Sequence, residues 1–305
     1  LLTNRIKHSE YSFGKPDVKE AGDEGYLMVG FESETGEVAG TTGIEASIGW
    51  DVPFYSYHIS KVVHSSPKLG VNNVVKLLTF GNNYTGNSEI CTLFLREKFR
   101  GGLNGRLMSK CRFLMMAEHP ERFSETIFAE MRGVSDENGN SPFWQWLQEH
   151  FFSIDFTLAD YLTGIGKKGF IADLMPKLPI YINLLSPEAQ AVIGQVHDNT
   201  RPALKLLENE GFTNRGYVDI FDGGPTVECD LRNIESVRHS FRAQVKISEH
   251  TSTQDFLMCN SSFENFRAAA AKAAYDAETQ SVVLAPELAD ALLVEEGDFV
   301  RLLPQ

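Results

Sequence analysis

A histidine, an aspartate and an asparagine stand together at positions 197–199, inside the run GQVHDNTRPALKLLENEGF (residues 194–212). Imidazole is the side chain whose ordinary pKa lies nearest neutral pH, so His197 is the natural candidate to give or take a proton. Thr200 can cap a helix here, Pro202 suits its first turn and Gly211 can end it. His197 is then expected just before the positive end of that helix. A histidine that only caps the loop is the plainer alternative. A second stretch, LREKFRGGLNGRLMSKCR (residues 95–112), gathers Arg96, Lys98, Arg100, Arg106, Lys110 and Arg112 against one acid, Glu97. Gly101, Gly102 and Gly105 let backbone approach a ligand closely, and the N–H groups at the start of a following helix attract anions. Such a loop can hold a pyrophosphate; a solvated basic helix face after an ordinary turn is the competing reading.

These groups need elements to carry them. GYLMVGFE and VAGTTGIEASIG, separated by a Gly-containing turn, predict a β-hairpin. The segment from Trp50 to Gly86, aromatic and Asn-rich with Gly and Pro breaks, reads as an insertion. EICTLFL (Glu89 to Leu95) is a short apolar run suited to a buried strand. The spacing of Leu107, Met108, Cys111, Leu114 and Met115 predicts a helix from about Asn104 to Glu118. TIFAEMRGV is the next strand. PFWQWLQEHFF and PALKLLENEGF share Pro at the start, Leu five residues on and Phe at the end, each after an expected strand and a polar loop. That echo suggests two related halves. After Arg238 the pattern changes to a turn-rich tail ending in GDFVRLL. Ala269 to Ala274 is helical on propensity alone, but its hairpin context favours strand. The expected organisation is α+β: residues 1–135 with the basic loop, residues 136–240 carrying His197, and a small β-rich lobe over residues 241–305.

Composition narrows the classes. At 305 residues the chain can bury a sizeable core. A net charge of −13 argues against nucleic acid as a partner. No apolar run approaches the roughly 20 residues of a membrane-spanning helix. The four cysteines form no CxxC pair, which disfavours a structural zinc site or a disulfide frame and favours a reducing, cytoplasmic setting. No metal is expected. The opening residues LLTNRIKHSEY read as the middle of a helix, and a preceding segment is expected to be missing.

Neither GxGxxG nor GxxxxGK[ST] occurs, so a dinucleotide or P-loop site fits poorly. The basic loop resembles the Arg/Gln-x-x-Gly-x-Gly loop with which GNAT acyltransferases grip the pyrophosphate of coenzyme A. Aligned on Arg100 and Gly105, Leu103 stands where that pattern asks for its first glycine. Residues 199–212 resemble the late-helix signature of the same enzymes at Ala203, Leu206, Glu208, Gly211 and Phe212, with Asn199 displaced by one position. Leu207 replaces the tyrosine that in many of them helps to protonate the departing thiolate. Longer phrases, SEICTLFL, AEMRGV, SPFWQWL, FFSIDF, FIADLMPKLPIY, VIGQVH and DIFDGGPTVECD, are similar to the arginine N-succinyltransferase family from about Tyr26 through Arg238, and more loosely to the end.

That resemblance implies a GNAT-like fold. It also implies transfer of succinyl from succinyl-CoA to the α-amino group of L-arginine, the opening step of an arginine-degradation route. Leu93 is implied to contact succinyl-CoA and His197 to be the proton donor. Succinyl-CoA would be a co-substrate rather than a resident cofactor. The family occurs in single-chain and paired-subunit forms, so an oligomer is expected, and a non-catalytic acyl-CoA-binding subunit is the alternative from another class. The guanidinium calls for carboxylates and the substrate carboxylate for a cation. Glu130 and Arg132 are the candidates put forward, with Glu45, Asp219, Asp222 and Glu228 also at strand ends. A covalent route through Cys91 or Cys229 competes with direct attack, although buried free thiols are usually inert.

Overall fold

The computed structural model describes residues 2–137, 139–151, 158, 161, 174–249, 252 and 254–305. FFSIDF after its first residue, and the first four residues of FIADLMPKLPIY, lie outside the described residues. In chain order the strands are β1 (Gly25–Phe31), β2 (Val38–Glu45), β3 (Ser56–Ser66), β4 (Val71–Gly81), β5 (Ser88–Leu95), β6 (Thr126–Glu130), β7 (Ile180–Tyr181), β8 (Thr213–Val218) and β9 (Pro225–Asp230). The C-terminal strands are β10 (Phe241–Ile247), β11 (Asp255–Asn260), β12 (Ala268–Lys272), β13 (Ala274–Asp276), β14 (Ser281–Leu284) and β15 (Phe299–Pro304). The fold is mixed α+β.

Two compact units emerge, each assembled from separated pieces of chain: residues 1–47, 88–127 and 229–305 form one, residues 48–87 and 128–228 the other. Neither coincides with a continuous stretch such as 1–135 or 136–240. The reason is strand pairing. Trp50 to Gly86 is not an appendage: it folds as β3 and β4, joined in register from Ser56↔Gly81 to Ser66↔Val71, and β3 pairs with β8 at Tyr57↔Val218. The early hairpin therefore belongs with residues far down the chain.

In the first unit β1 pairs antiparallel with β2, the hairpin expected, and β2 with β5. Helix Asn104–Glu118 follows the basic loop and buries Met108, Cys111, Leu114 and Met115. The C-terminal strands form a six-stranded sheet in the order β12-β11-β15-β10-β14-β13, with its own core of Val245, Phe256, Met258, Val282, Leu284 and Leu302. Ala268–Lys272 is strand, because pairing with β11 overrides the helical preference of alanine. The lobe is fastened to the long helix: Leu114 packs with Leu257, Cys259 and Leu303. Glu118, nearly buried, takes Arg301 at 2.9 Å and Arg242 at 3.3 Å.

In the second unit the strand order is β9-β8-β3-β4-β7. Helix Pro142–Phe151 buries Phe143, Trp144, Trp146 and Leu147 in a core with Tyr57, Leu78 and Val218. Helix Arg201–Asn209 ends at Gly211, whose φ of +94° a side chain would strain. The echo of these two helices is real as helix, but what precedes the second differs from expectation. It is a short helix, Pro187–Val192, and a single antiparallel bridge, Val196 to Gly133, in place of a strand.

Candidate active site

In the first unit the geometry centres on β5. Between Cys91 and Phe94 this strand uses three steps where β2 uses two, from Gly43 to Thr41. The extra residue makes a β-bulge at Thr92 and Leu93. Thr92 sits at φ +55°, a left-handed conformation that is costly for a β-branched side chain, on the order of 1–3 kcal/mol. Its carbonyl is held by the Thr41 hydroxyl at 3.1 Å. Bulges of this kind interrupt the ladder and turn backbone groups away from their sheet partners. Leu93 is the second residue of this bulge, a feature with no glycine or proline to mark it in the sequence.

The basic loop follows directly. Gly101 and Gly102 adopt φ of +150° and +52°, and a β-carbon at Gly101, Gly102 or Gly105 would meet nothing within 4 Å. The loop is open above its backbone. Leu103, where the GNAT pattern wants glycine, has φ −93° and ψ −3°, a negative φ that does not call for glycine. As N-cap it offers no side-chain acceptor to the first N–H groups of helix Asn104–Glu118.

The six cations divide. Arg96 bonds Glu37 at 2.5 Å and the Val38 carbonyl at 3.0 Å, and Lys98 also pairs with Glu37. Arg112 is buried, its guanidinium bound to the Ser109 carbonyl and hydroxyl, and burial pulls its pKa below the usual arginine range. Arg112 thus belongs to the interior, contrary to its count among the loop's charges. Arg100 and Arg106 are exposed, with Arg100 Nε donating to the Leu95 carbonyl at 3.1 Å.

In the second unit His197 is half-buried, in a loop fixed on both sides. Its N–H donates to the Arg132 carbonyl at 2.9 Å, and Thr200 N–H donates to the His197 carbonyl at 2.8 Å. Asn199 N–H donates to His197 Nδ1 at 3.1 Å. The cap of this turn is therefore His197; Thr200 makes no side-chain cap. A backbone N–H can only donate, so in the neutral ring Nδ1 is the acceptor and the proton sits on Nε2. The cap engages Nδ1 and leaves Nε2 out of it.

The bridge that holds His197 brings Arg132 into the same neighbourhood, with its guanidinium on the Ser135 hydroxyl at 2.9 Å. Glu130 lies two residues earlier, at the end of β6. Glu228 accepts from the Tyr84 hydroxyl at 2.6 Å and from Arg215 Nε at 3.2 Å. Tyr84, stacked on Phe128 with centroids 4.3 Å apart, has its pKa pushed far up by burial first, then by the Glu228 carboxylate, with Glu130 contributing. Asp219 and Asp222 cross-brace the turn DIFDGGP. Asp219 accepts from Phe221 N–H and Asp222 N–H, Asp222 from Gly224 N–H and Gly133 N–H, all within 2.8 Å. Glu45, in the first unit, pairs with Arg5 at 3.0 Å. Cys91 accepts from Arg5 at 3.1 Å, yet burial pushes its thiol up to about 12. Among the described residues no three or more His, Cys, Asp or Glu side chains gather to hold a metal ion, and no helix is long and apolar enough to cross a membrane.

By fold the chain is a mixed α+β protein with a β-rich C-terminal part. The family described as arginine N-succinyltransferase beta subunit matches residues 1–236, and its C-terminal domain matches residues 241–304. Proteins named arginine N-succinyltransferase from Salmonella paratyphi B and Salmonella newport are each 48% identical over 285 residues, spanning 92% of this chain and 82% of theirs. A solved structure from Pseudomonas aeruginosa, described as arginine/ornithine succinyltransferase subunit AI, superposes with a TM-score of 0.89 at 36% identity, covering 99% of this chain and 88% of that one. The chain belongs to the arginine N-succinyltransferase family.

Proposed function

We propose that the chain transfers succinyl from succinyl-CoA to the α-amino group of L-arginine, giving N2-succinylarginine and CoA, by direct amine attack with His197 as proton donor. The chain is an arginine N-succinyltransferase, the first step of arginine catabolism. The neutral amine attacks the thioester carbon, a C–N bond forms, the C–S bond breaks, and the amine proton is lost to solvent. Backbone N–H groups at the bulge beside Leu93 stabilise the oxygen as it becomes negative. The open Gly101, Gly102 and Gly105 backbone, Arg100 and the helix start behind them hold the pyrophosphate. Glu130 serves the guanidinium, and Arg132 a carboxylate.

The observation that carries the donor role is the contact of Asn199 N–H with His197 Nδ1, which in the neutral ring leaves Nε2–H as the donor. The neutral ring stabilises a developing thiolate by a hydrogen bond. Complete transfer from it would leave an imidazolate, so full protonation of sulfur comes from the imidazolium. In that form Nδ1 also carries a proton and the Asn199 contact opens.

A covalent route is disfavoured because burial pushes the Cys91 thiol up to about 12, far from a thiolate at neutral pH. We place the enzyme in the cytoplasm, without a resident cofactor, and as an oligomer. The Pseudomonas relative, described as a subunit, favours a second reading in which the chain works only beside a related subunit or binds acyl-CoA without turnover. Thiol release by the purified chain with succinyl-CoA and arginine tests this. Turnover supports the enzyme reading; intact CoA binding without turnover supports the dependent subunit.

A further inference from the structure

The turn DIFDGGP takes no part in the proposed chemistry, yet it is tied to the backbone that precedes His197 and to the segment His197 hydrogen-bonds. Asp222 Oδ2 accepts the Gly133 N–H at 2.7 Å, and Asp222 Oδ1 accepts the Gly224 N–H at 2.8 Å. Gly133 is the residue bridged to Val196, and its neighbour Arg132 accepts the His197 N–H at 2.9 Å. The loop is caught a second time at its start, where Gly194 N–H donates to the Gly223 carbonyl at 2.7 Å. One turn therefore grips residues 133, 194 and, through residue 132, His197.

The packing leaves no slack. A β-carbon on Gly133 would lie 2.6 Å from Asp222 Oδ1, and one on Gly224 would collide with the Met131 carbonyl. The turn is itself held from within: Asp219 N–H donates to the Gly224 carbonyl at 2.8 Å, and the Asp219 carboxylate takes the N–H groups of Phe221 and Asp222. A carboxylate accepting backbone N–H groups is about twice as strong as a neutral acceptor. Asparagine at 222 keeps one acceptor oxygen and turns an NH2 group toward a donor, so it lets go of one of the two N–H groups.

We propose that Asp222 is a positioning residue for His197: its carboxylate clamps Gly133, and thereby the segment after β6 from which the His197 backbone hangs. The proposal rests on the reading of His197 as proton donor for its catalytic consequence only. The position of the imidazole is measurable without it.

The test uses Asp222→Asn and Gly133→Ala in the full chain, the second pressing a methyl against the same carboxylate. Steady-state rates with succinyl-CoA and arginine are read beside the imidazole Cε1–H resonance of His197, assigned by its loss in His197→Asn. The expected result in both variants is a displaced His197 resonance and a kcat lowered about 10-fold or more, with KM for succinyl-CoA within twofold of wild type. If the resonance moves and kcat does not, Asp222 positions His197 but His197 is not the donor. An unmoved resonance in a folded variant overturns the proposal, whatever the rate. If one variant fails to fold, the other decides.

Discussion

His197 does two separable jobs in this reading, and substitution can separate them. Nδ1 caps the turn by accepting Asn199 N–H at 3.1 Å, and Nε2 carries the proton to be given. Alanine removes both. Loss of a cap costs about 1 kcal/mol, which for a chain of this length lowers Tm by roughly 1–2 °C. Loss of the proton donor costs about 10²-fold or more in kcat, equivalent to about 2.7 kcal/mol of barrier. Asparagine, among the best capping residues, still offers an oxygen to the N–H two residues on. His197→Asn is therefore expected to unfold within about 0.5 kcal/mol of wild type while losing the same 10²-fold or more in kcat. Affinity for succinyl-CoA is expected to change little in either variant. Thiol release followed with a thiol-reactive dye gives the rates, and urea unfolding gives the stabilities. A His197→Asn enzyme that kept more than half its kcat would refute the donor role and leave only the cap.

Arg100→Ala is expected to weaken CoA binding by roughly 10-fold or more, as loss of a charge-assisted bond does; titration calorimetry giving unchanged affinity would show that the loop points elsewhere. Replacing Cys91 and Cys229 together by Ser is expected to leave turnover within about twofold, and a collapse of kcat in the folded double variant would revive the covalent route. Asp219 governs a pH effect whose sign is fixed. Burial, with the Asp222 charge second, pushes its pKa up to about 8 from 3.8. The folded state then binds more protons than the unfolded one between these values, so stability falls as pH rises through that window. Asp219→Asn keeps the acceptor oxygen and removes the titration. Denaturant melts at pH 5 and pH 8 should lie closer together in the variant, and an unchanged gap would mean the group titrates normally.

The parts of the fold legible in sequence were those with a local cause. The β1–β2 hairpin, β5 and helix Asn104–Glu118 each announce themselves by periodicity and turn residues, and they formed where expected. Gly211 stopped its helix because only glycine sits easily at φ +94°. What escaped was set by distance. Residues 56–81 lack the alternation of a half-buried strand because both faces of most of the ribbon are exposed, and their pairing with β8 lies far along the chain. The bulge at Thr92 depends on register against β2, which no local motif encodes. Arg112 looked like its neighbours in the basic run, and only the helix face on which it falls sends it inward. In the candidate site His197 was visible by type and resemblance. Its tautomer and its tether to Arg132 were not, since both arise from backbone groups that carry no sequence signature. DIFDGGP stood out as a phrase, but its role needed Gly133 beside it.

The interleaving of the two units bears on how this protein is made. Tyr57 leaves the ribosome roughly 160 residues before Val218, its partner in the sheet. At about 5–20 residues per second that is a wait on the order of 10–30 s. Throughout it, Val63, Leu69, Val71 and Val74 of the nascent ribbon remain open to water, as they are still in the finished chain. Lys61, Lys68 and Lys76 lie among them with no acid nearby in sequence, and such charges discourage sticking between growing chains. Slow translation beyond residue 87, or a shortage of chaperones, should therefore lower the soluble yield before it alters the activity of the molecules that do fold.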